Sequence, residues 1–503
     1  MPNNALTALD LVCAPRPWGY FGTPGAVISG GTNPGAPTML WYAASSSNAQ
    51  GQDGGNNYKC RPPVATKAGN CLVLRIMYPH YDPGGGLWNP TVSDNVNGTW
   101  PAAAITVDAG LNNQITKVYV FPNSAAGLVT VNVAFSDPPQ WYGFNYDLSE
   151  WSNIAAVNPV DGTKSAVSQT GTALSCGSFT PSTNNDANGG HLILAFFDEG
   201  VMNGDAPLTS WVPGGSFSLL MADVGWATSG GSSAGYPRAA MSFVQTANGA
   251  INPSITANGN SGHINCAAIA LKASPTQGMG RDTGIYVNKI LHYSTYLSPP
   301  TTWNVQIPAT GNLWVIQANA GSEFTSITDN VGDSVSWSSV VSGNWSGIWY
   351  RSAPANGKNN LMVTISEPAN STAESFRFFD ISGAAASNVL DVSAIHGSYL
   401  APGPTTITDT PVITPSAAGV GGICIIASSL GTGPGLGFGT GAPANASWDL
   451  PNFDGQTDVC TMTNSDCCGH VLVTSTATIH GNWNTASVPN NLADGVAAVF
   501  KKA

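Results

Sequence analysis

Short apolar runs separated by turn sequences dominate the chain. Residues 129–135 (VTVNVAF) alternate apolar and polar side chains with a period of two, the pattern of a strand with one buried face. Residues 192–197 (LILAFF) and 423–427 (ICIIA) are continuous apolar runs, short enough to be strands in the core of a sandwich. Turns such as Asn97-Gly98 and Asn258-Gly259 separate these runs. The pattern predicts an all-β protein of sandwich or jelly-roll type.

The same order of motifs occurs twice along the chain. A Gly-Asn pair followed by an apolar run begins at Gly69 and again at Gly311, 242 residues later. Both copies end on an apolar run and a lysine, beginning at Ala267 and at Ala497, 230 residues apart. Because the spacing shrinks along the chain, this pattern indicates a domain duplication with insertions and deletions, not a short-period repeat.

The duplication predicts two tandem β-sandwich domains. We place the first at residues 69–274, a linker at 275–284 and the second at 285–503. Residues 1–68 are rich in Pro and Gly and have no second copy of similar length. They are predicted to be an N-terminal arm or strands added to the first domain.

Composition excludes several classes of protein. Only 9% of residues are charged, against roughly 25% in ordinary soluble proteins. Disorder does not explain this, because the chain has 15 Trp, 14 Tyr and 16 Phe and disordered chains are poor in aromatic residues. The net charge is -12 and the 16 basic residues are scattered, which argues against a nucleic-acid partner. No apolar stretch reaches the roughly 18 residues of a membrane span, so membrane insertion is not expected.

Four residues near the C-terminus form a compact group of possible metal ligands. Cys460, Cys467, Cys468 and His470 have the spacing C-x6-C-C-G-H. A zinc site is one interpretation, because cysteine and histidine are the ligands zinc prefers. The alternatives are a disulfide from Cys460 to Cys467 or Cys468, and unpaired thiols. Our prediction is that no metal is bound.

Five of the other six cysteines divide into one candidate pair and three buried thiols. Cys60 and Cys71 are close enough in sequence to join the N-terminal region to the first core strand by a disulfide. Cys176, Cys266 and Cys424 lie in apolar runs and are predicted to be buried free thiols. The total of nine is odd, so at least one thiol is free or pairs with another molecule.

Two Asp-Asn turns offer clustered oxygen atoms. Residues 94–98 (DNVNG) and 329–333 (DNVGD) each present three oxygen-bearing side chains, and Asp94, Asp329 and Asp333 are the calcium candidates. The alternative is that these side chains cap their own backbone in β-turns, which is their common role.

Carboxylates beside aromatic residues raise the possibility of a glycoside hydrolase. Asp198 and Glu199 follow an apolar run, and Trp141, Trp151 and Trp211 are candidates to line a sugar cleft. Against this, aromatic residues at alternate strand positions usually belong to the core.

The two copies also differ at a candidate carboxylate. The motif alignment places Gly383 of the second copy where the first has Glu150. We therefore expect no enzymatic activity and no cofactor.

The shared motifs resemble a known kind of domain. They are the hairpins 94–100 (DNVNGTW) and 329–337 (DNVGDSVSW), the V-T-V strand, the strand Phe376–Gly383 and the terminal A-A-x-x-x-K strand. Over residues 69–273 and 311–503 the chain resembles a β-sandwich domain of bacteriophage structural proteins and bacterial surface proteins. The resemblance implies a fold and supplies no catalytic residues.

Location decides between the functional hypotheses. Residues 1–6 (MPNNAL) carry neither the basic region nor the apolar run of a secretory signal, although the composition is typical of extracellular proteins. A virion component would explain both the missing secretory signal and the extracellular type of composition, because it folds in the host cytoplasm and is exposed after lysis. We expect a structural protein of the bacteriophage virion exterior: a capsid decoration, collar or fibre component with weak glycan adhesion. The alternatives are a secreted bacterial cell-surface adhesin or fibre subunit and, third, a glycan-active enzyme.

The expected partners follow from that hypothesis. They are other virion proteins or copies of the chain itself in a homo-oligomer, together with host surface glycans.

Overall fold

In the computed structural model, nearly all regular structure is β-strand. The described residues are 35–47, 57–79, 89–110, 114–136, 144–182, 190–199, 208–223, 237–259, 263–274, 278–280, 284–294, 302–319, 324–342, 346–354, 357–366, 375–400, 407–409, 412–430, 436–438, 446–447, 465–479, 482–485 and 492–503. Within them, one 3-10 turn at Ala417–Gly419 is the exception to the strands. No helix in this part of the chain is long and apolar enough to cross a membrane.

The strands fall into two halves. The first half contains β1 (Thr38–Ser47), β2 (Asn57–Cys60), β3 (Cys71–Pro79), β4 (Thr91–Asp94), β5 (Gly98–Thr99), β6 (Ile105–Asp108), β7 (Gln114–Phe121), β8 (Val131–Ala134), β9 (Asn145–Ser152), β10 (Val160–Gln169), β11 (Ala173–Ser175), β12 (His191–Glu199), β13 (Ser210–Pro213), β14 (Ser218–Asp223), β15 (Arg238–Gln245), β16 (Ser254–Asn258) and β17 (Ile264–Lys272). The second half contains β18 (Tyr286–Ser294), β19 (Thr302–Ala309), β20 (Leu313–Asn319), β21 (Ser326–Asp329), β22 (Ser338–Ser342), β23 (Ser346–Ser352), β24 (Lys358–Ser366), β25 (Ser375–Ser382), β26 (Leu390–Leu400), β27 (Ile407–Asp409), β28 (Ile423–Leu430), β29 (Leu436–Phe438), β30 (Ala446–Ser447), β31 (Ser465–Leu472), β32 (Asn482–Thr485) and β33 (Leu492–Phe500).

The largest sheet has ten strands and contains both halves. Its order is β22-β23-β20-β25-β18-β1-β9-β3-β7-β6. At its middle β1 and β18 pair in parallel, with Tyr42 opposite Lys289. Outward from that pair, β9, β3, β7 and β6 follow on one side, and β25, β20, β23 and β22 follow on the other. The two halves therefore meet inside a single sheet, at a parallel pair.

An eight-stranded sheet also joins the halves. Its order is β10-β17-β12-β15-β14-β19-β24-β21, and the junction is the β14–β19 pair, where Ala222 lies opposite Gln306. The smaller sheets have the orders β2-β8-β4-β5, β11-β16-β13, β26-β33-β28-β31-β30 and β27-β32-β29.

Four apolar cores lie between these layers. The central core separates the ten-stranded and eight-stranded sheets and includes Tyr42, Leu194 and Trp314. The other three lie beneath the smaller sheets. We name them for one member each: the Leu74 core under β2-β8-β4, the Trp211 core under β11-β16-β13, and the Phe379 core under the five-stranded sheet. Sheets are thus stacked on both faces of the ten-stranded sheet, which is buried for most of its width.

The all-β class is confirmed, whereas finer points of the architecture stay predictions. Those are the duplication, the N-terminal arm and the domain boundaries. Both large sheets continue across the predicted linker at residues 275–284, through the β1–β18 and β14–β19 pairs. In residues 1–68, the described part contains β1 and β2, which belong to two different sheets.

Candidate functional site

Four charged side chains meet between the ten-stranded and eight-stranded sheets. Arg75 on β3 donates from Nε to Asp198 Oδ2 at 3.1 Å and pairs through Nη2 with the other oxygen of Asp198 on β12. Asp147 on β9 forms an ion pair with Arg75 Nη1 at 2.9 Å and accepts from Arg238 Nη1 on β15 at 3.2 Å. Because β12 and β15 belong to the eight-stranded sheet, ion pairs cross between the sheets in both directions. We call these four residues the intersheet ion cluster.

Burial determines the chemistry of the intersheet ion cluster. Its side chains are at most 3% exposed. Burial lowers the pKa of Arg75 to about 10, and the charge of Asp147 opposes that shift, so Arg75 is still protonated at neutral pH. Burial and then the charge of Asp147 raise the pKa of Tyr42, whose hydroxyl donates to Asp147 Oδ1 at 2.5 Å. Thr116 donates to Asp198 Oδ2 at 2.7 Å. The carboxylates of Asp147 and Asp198 therefore both contact positively charged or hydrogen-bonding groups, and these contacts hold the two sheets together.

The described candidates for a sugar cleft lie apart from one another. Asp198 is 1% exposed and belongs to the intersheet ion cluster. Trp151 lies in the central core, whereas Trp211 lies in the Trp211 core and donates from Nε1 to the carbonyl of Asp223 at 2.8 Å. The side chains of Glu199 and Trp141 lie outside the described residues. The two described tryptophans are thus core residues in separate cores, as the core interpretation of these aromatic residues expects.

A buried carboxylate occupies the same place in both halves, which corrects the motif alignment. Glu150 lies opposite Trp41 in the β1–β9 pair, and Asp380 lies opposite Lys289 in the β18–β25 pair. In each pair the register shifts by one residue just before that position. Asp380, not Gly383, is therefore the counterpart of Glu150.

Both carboxylates bind the turn that precedes the neighbouring strand. Glu150 Oε1 accepts from the backbone N–H of Lys67 at 2.8 Å and from Asn70 Nδ2 at 2.7 Å. Asp380 accepts from the N–H of Thr310 at 3.0 Å and of Gly311 at 2.8 Å. Burial raises the pKa of both carboxyls, and these donors oppose that shift. Their role in the fold is to anchor the turns before β3 and β20.

The first Asp-Asn turn is held by its own side chains. Asp94 Oδ1 accepts from the N–H of Val96 at 2.8 Å, and Oδ2 accepts from Trp100 Nε1 at 2.6 Å and from Asn97 Nδ2 at 2.9 Å. Asn95 accepts from the N–H of Val129 at 3.2 Å and so joins the turn to the next segment. These contacts match the turn-capping interpretation, since N–H donors occupy the oxygens that calcium would need.

The second turn has the same contact and an added arginine. Asp329 Oδ2 accepts from Trp337 Nε1 at 2.9 Å, as Asp94 does from its tryptophan. Arg351 pairs with both Asp329 and Asp333. Although desolvation opposes it, the Arg351 hydrogen bond lowers the pKa of Asp333. A guanidinium therefore lies where a calcium ion would bind, which contradicts the calcium interpretation of Asp329 and Asp333.

Cys60 and Cys71 are free buried thiols, so the predicted disulfide between them is wrong. Cys60 faces the Leu74 core and Cys71 faces the central core. Those cores lie on opposite faces of the ten-stranded sheet, so the backbone of β3 separates the two side chains. The short sequence separation of the pair did not reveal this, because it carries no information about which face each residue occupies.

Two of the four candidate zinc ligands near the C-terminus, Cys468 and His470, have described side chains. Cys468 is buried in the Phe379 core, and the Nε2 atom of His470 donates to the carbonyl of Pro63 at 2.6 Å. Cys460 and the side chain of Cys467 lie outside the described residues. Among the described residues, no three His, Cys, Asp or Glu side chains are arranged to hold a metal ion.

Acidification is expected to destabilise the protein through His470. Burial lowers the pKa of this histidine from 6.5 to about 4, because its Nδ1 has no partner and Phe379 packs against the ring. The unfolded chain binds the proton first, so stability is full above pH 6.5 and falls as the pH drops to about 4. The total loss is about 3 kcal/mol, at about 1.4 kcal/mol per pKa unit.

Urea unfolding at pH 7 and pH 4 measures this loss. His470→Gln is the control, because its amide can still donate to Pro63 and does not titrate. Wild-type protein should lose about 3 kcal/mol more than His470→Gln between the two pH values. Equal losses would show that His470 is exposed to water.

Comparison with known proteins identifies no relative. No protein family and no curated protein sequence matches the chain. Among solved structures, the structure of infectious bursal disease virus Gx strain aligns with 93% of this chain and 80% of that chain, at 7% identity. Its TM-score is 0.08, so the alignment carries no argument.

Proposed function

We propose that the chain is a non-enzymatic structural protein of a bacteriophage virion exterior: a capsid decoration, collar or fibre component. One observation carries this proposal. Both halves are built into two shared sheets, and the ionised groups between those sheets bind each other. Such an arrangement suits a rigid structural protein. Asp198, the candidate catalytic residue, contributes to this rigidity through its ion pair with Arg75.

The dimensions and surface of the body support the same role. Ten strands at about 4.8 Å spacing extend roughly 43 Å across the largest sheet. The chain has few charged residues, 9% of the total, and a net charge of -12. Such a surface favours contacts with other virion proteins, with copies of the chain, and weakly with host glycans.

Protein mass spectrometry of gradient-purified phage particles tests the proposal. The chain should be present at a constant ratio to the major capsid protein through successive gradients. A salt wash controls for protein that merely adheres to particles. Absence from washed particles, with recovery in the bacterial envelope fraction, would contradict the virion role and favour a cell-surface adhesin or fibre subunit.

A further inference from the structure

Partly exposed aromatic rings line one edge of the layer between the ten-stranded and eight-stranded sheets. Phe324, Trp337 and Trp349 are each partly buried and pack against the central core. The rings of Phe324 and Trp349 lie 4.8 Å apart, centre to centre, at an angle of 31°. The indole of Trp349 also lies so close to Gly347 that a Cβ atom there would overlap it. Neighbours therefore hold the Trp349 ring in place, while part of its surface is open to solvent.

Ionised groups lie beside these rings. Arg351, which is on β23 with Trp349, pairs through Nη1 with Asp329 and through Nη2 with Asp333. Asp329 in turn accepts from Trp337 Nε1 at 2.9 Å. The side chain of Asp333 is 36% exposed, whereas those of Arg351 and Asp329 are at most 4% exposed. One carboxylate at this edge can therefore contact a molecule in solution.

Two buried N–H donors at this edge have no acceptor in the part of the chain that the structure describes. They are Nε of Arg351 and Nε1 of Trp314. The two residues lie opposite each other in the β20–β23 pair, and the guanidinium is 5.6 Å from the centre of the Trp314 ring. A buried donor without an acceptor costs free energy, so an oxygen atom from outside the chain would stabilise this arrangement.

The corresponding place in the first half is apolar. Leu72 lies opposite Glu150, as Trp314 lies opposite the counterpart of Glu150 in the second half. Across β3–β7, Leu72 faces Phe121, whose ring packs on that of Trp100 at 5.4 Å. Trp100 is 5% exposed. The fold thus forms at this place without an arginine or an unpaired indole, so their presence in the second half needs a different explanation.

We propose that this edge is a binding site for a neutral glycan. We call it the Arg351 group, made of Trp314, Phe324, Asp329, Asp333, Trp337, Trp349 and Arg351. A sugar ring stacks on the open surface of Trp349, its hydroxyls donate to Asp333, and one of its oxygens accepts from Arg351 Nε. An aromatic wall with a few fixed polar groups is the usual composition of such sites.

The charges at the Arg351 group favour a neutral sugar over an acidic one. The carboxylates of Asp329 and Asp333 outnumber the one guanidinium, and the whole chain carries a net charge of -12. An acidic sugar would therefore be repelled. The inference rests on the glycan adhesion included in the proposed function, to which it assigns a site, and not on the virion role.

Saturation-transfer difference NMR of the full-length protein tests the inference. The probes are tetrasaccharides of glucose, galactose, mannose and N-acetylglucosamine, with tetragalacturonate as the acidic comparison. Transfer to at least one neutral sugar is expected. Trp349→Ala and Asp333→Asn should each raise the Kd of that sugar about tenfold. Phe121→Leu, at the corresponding place in the first half, is the matched control and should leave the Kd unchanged.

Three results would overturn the inference. The first is no transfer to any neutral sugar from wild-type protein that keeps its β-sheet circular dichroism. The second is transfer to tetragalacturonate alone, and the third is a Kd unchanged by both Trp349→Ala and Asp333→Asn. If Trp349→Ala does not fold, Asp333→Asn decides the question, because its side chain is exposed. None of these results bears on the presence of the chain in virions, which particle mass spectrometry tests separately.

Discussion

Deletion of residues 1–58 is expected to prevent the protein from folding. The deletion removes β1, which pairs with β9 on one side and with β18 on the other. It also removes Leu40, Trp41 and Tyr42, each at most 1% exposed. Without β1, two interior strands of the ten-stranded sheet become open edges, and the central and Leu74 cores lose large side chains.

Circular dichroism and size-exclusion chromatography of the truncated protein measure this effect. Deletion of residues 1–34 is the matched control, because it leaves every described residue in place. The shorter deletion should give soluble protein with a β-sheet spectrum, and the longer one should give unfolded or aggregated protein. A folded product of the longer deletion that had lost only its oligomeric state would contradict the structure and indicate an intermolecular arm.

Asp147→Ala is expected to cost about 3–5 kcal/mol of unfolding free energy. The carboxylate is 3% exposed and binds Arg75, Arg238 and the Tyr42 hydroxyl. Its removal leaves Arg238 buried without its anionic partner at Asp147, and an uncompensated buried charge is far more costly than a lost surface ion pair.

Urea denaturation of Asp147→Ala beside Tyr42→Phe measures the effect. The tyrosine variant removes one hydrogen bond to the same carboxylate and exposes no charge, so it should cost about 1 kcal/mol. A loss below that of Tyr42→Phe would mean that water reaches the intersheet ion cluster and that the two sheets separate there.

The local pattern of the sequence predicted the strands well. The alternating segment 129–135 contains β8, and the continuous apolar runs at 192–197 and 423–427 lie within β12 and β28. Such predictions succeed because side-chain periodicity reports directly on which faces of a strand are buried. The all-β class followed from the same signal.

Partners that are distant in sequence could not be predicted in this way. Nothing in the side-chain pattern indicates that β1 pairs in parallel with β18, nearly 250 residues away. Arg75 gave a signal that was overlooked, since it interrupts the apolar run 72–78 (LVLRIMY) of a buried strand. A lone arginine in such a run requires an anionic partner, although the sequence does not say that the partner is Asp198.

The incorrect alignment of Gly383 with Glu150 has a related cause. The motif alignment matched Phe144, just before β9, with Phe376 in β25, whereas the register of the sheet matches Glu150 with Asp380. A register shift in β1 and in β18 just before these positions is invisible in the sequence. Asn153 and Gly383 then occupy equivalent left-handed bends, with φ values of 61° and 77°.

Hydrogen exchange of native protein tests the shared ten-stranded sheet most directly. The peptides to follow are residues 38–47 and 286–294, which cover β1 and β18. If the two halves are joined there, both peptides should exchange as slowly as β12, an interior strand, and much more slowly than β10, an edge strand. Exchange of either peptide as fast as β10 would contradict the account, because it would show that the halves are separate bodies with open edges.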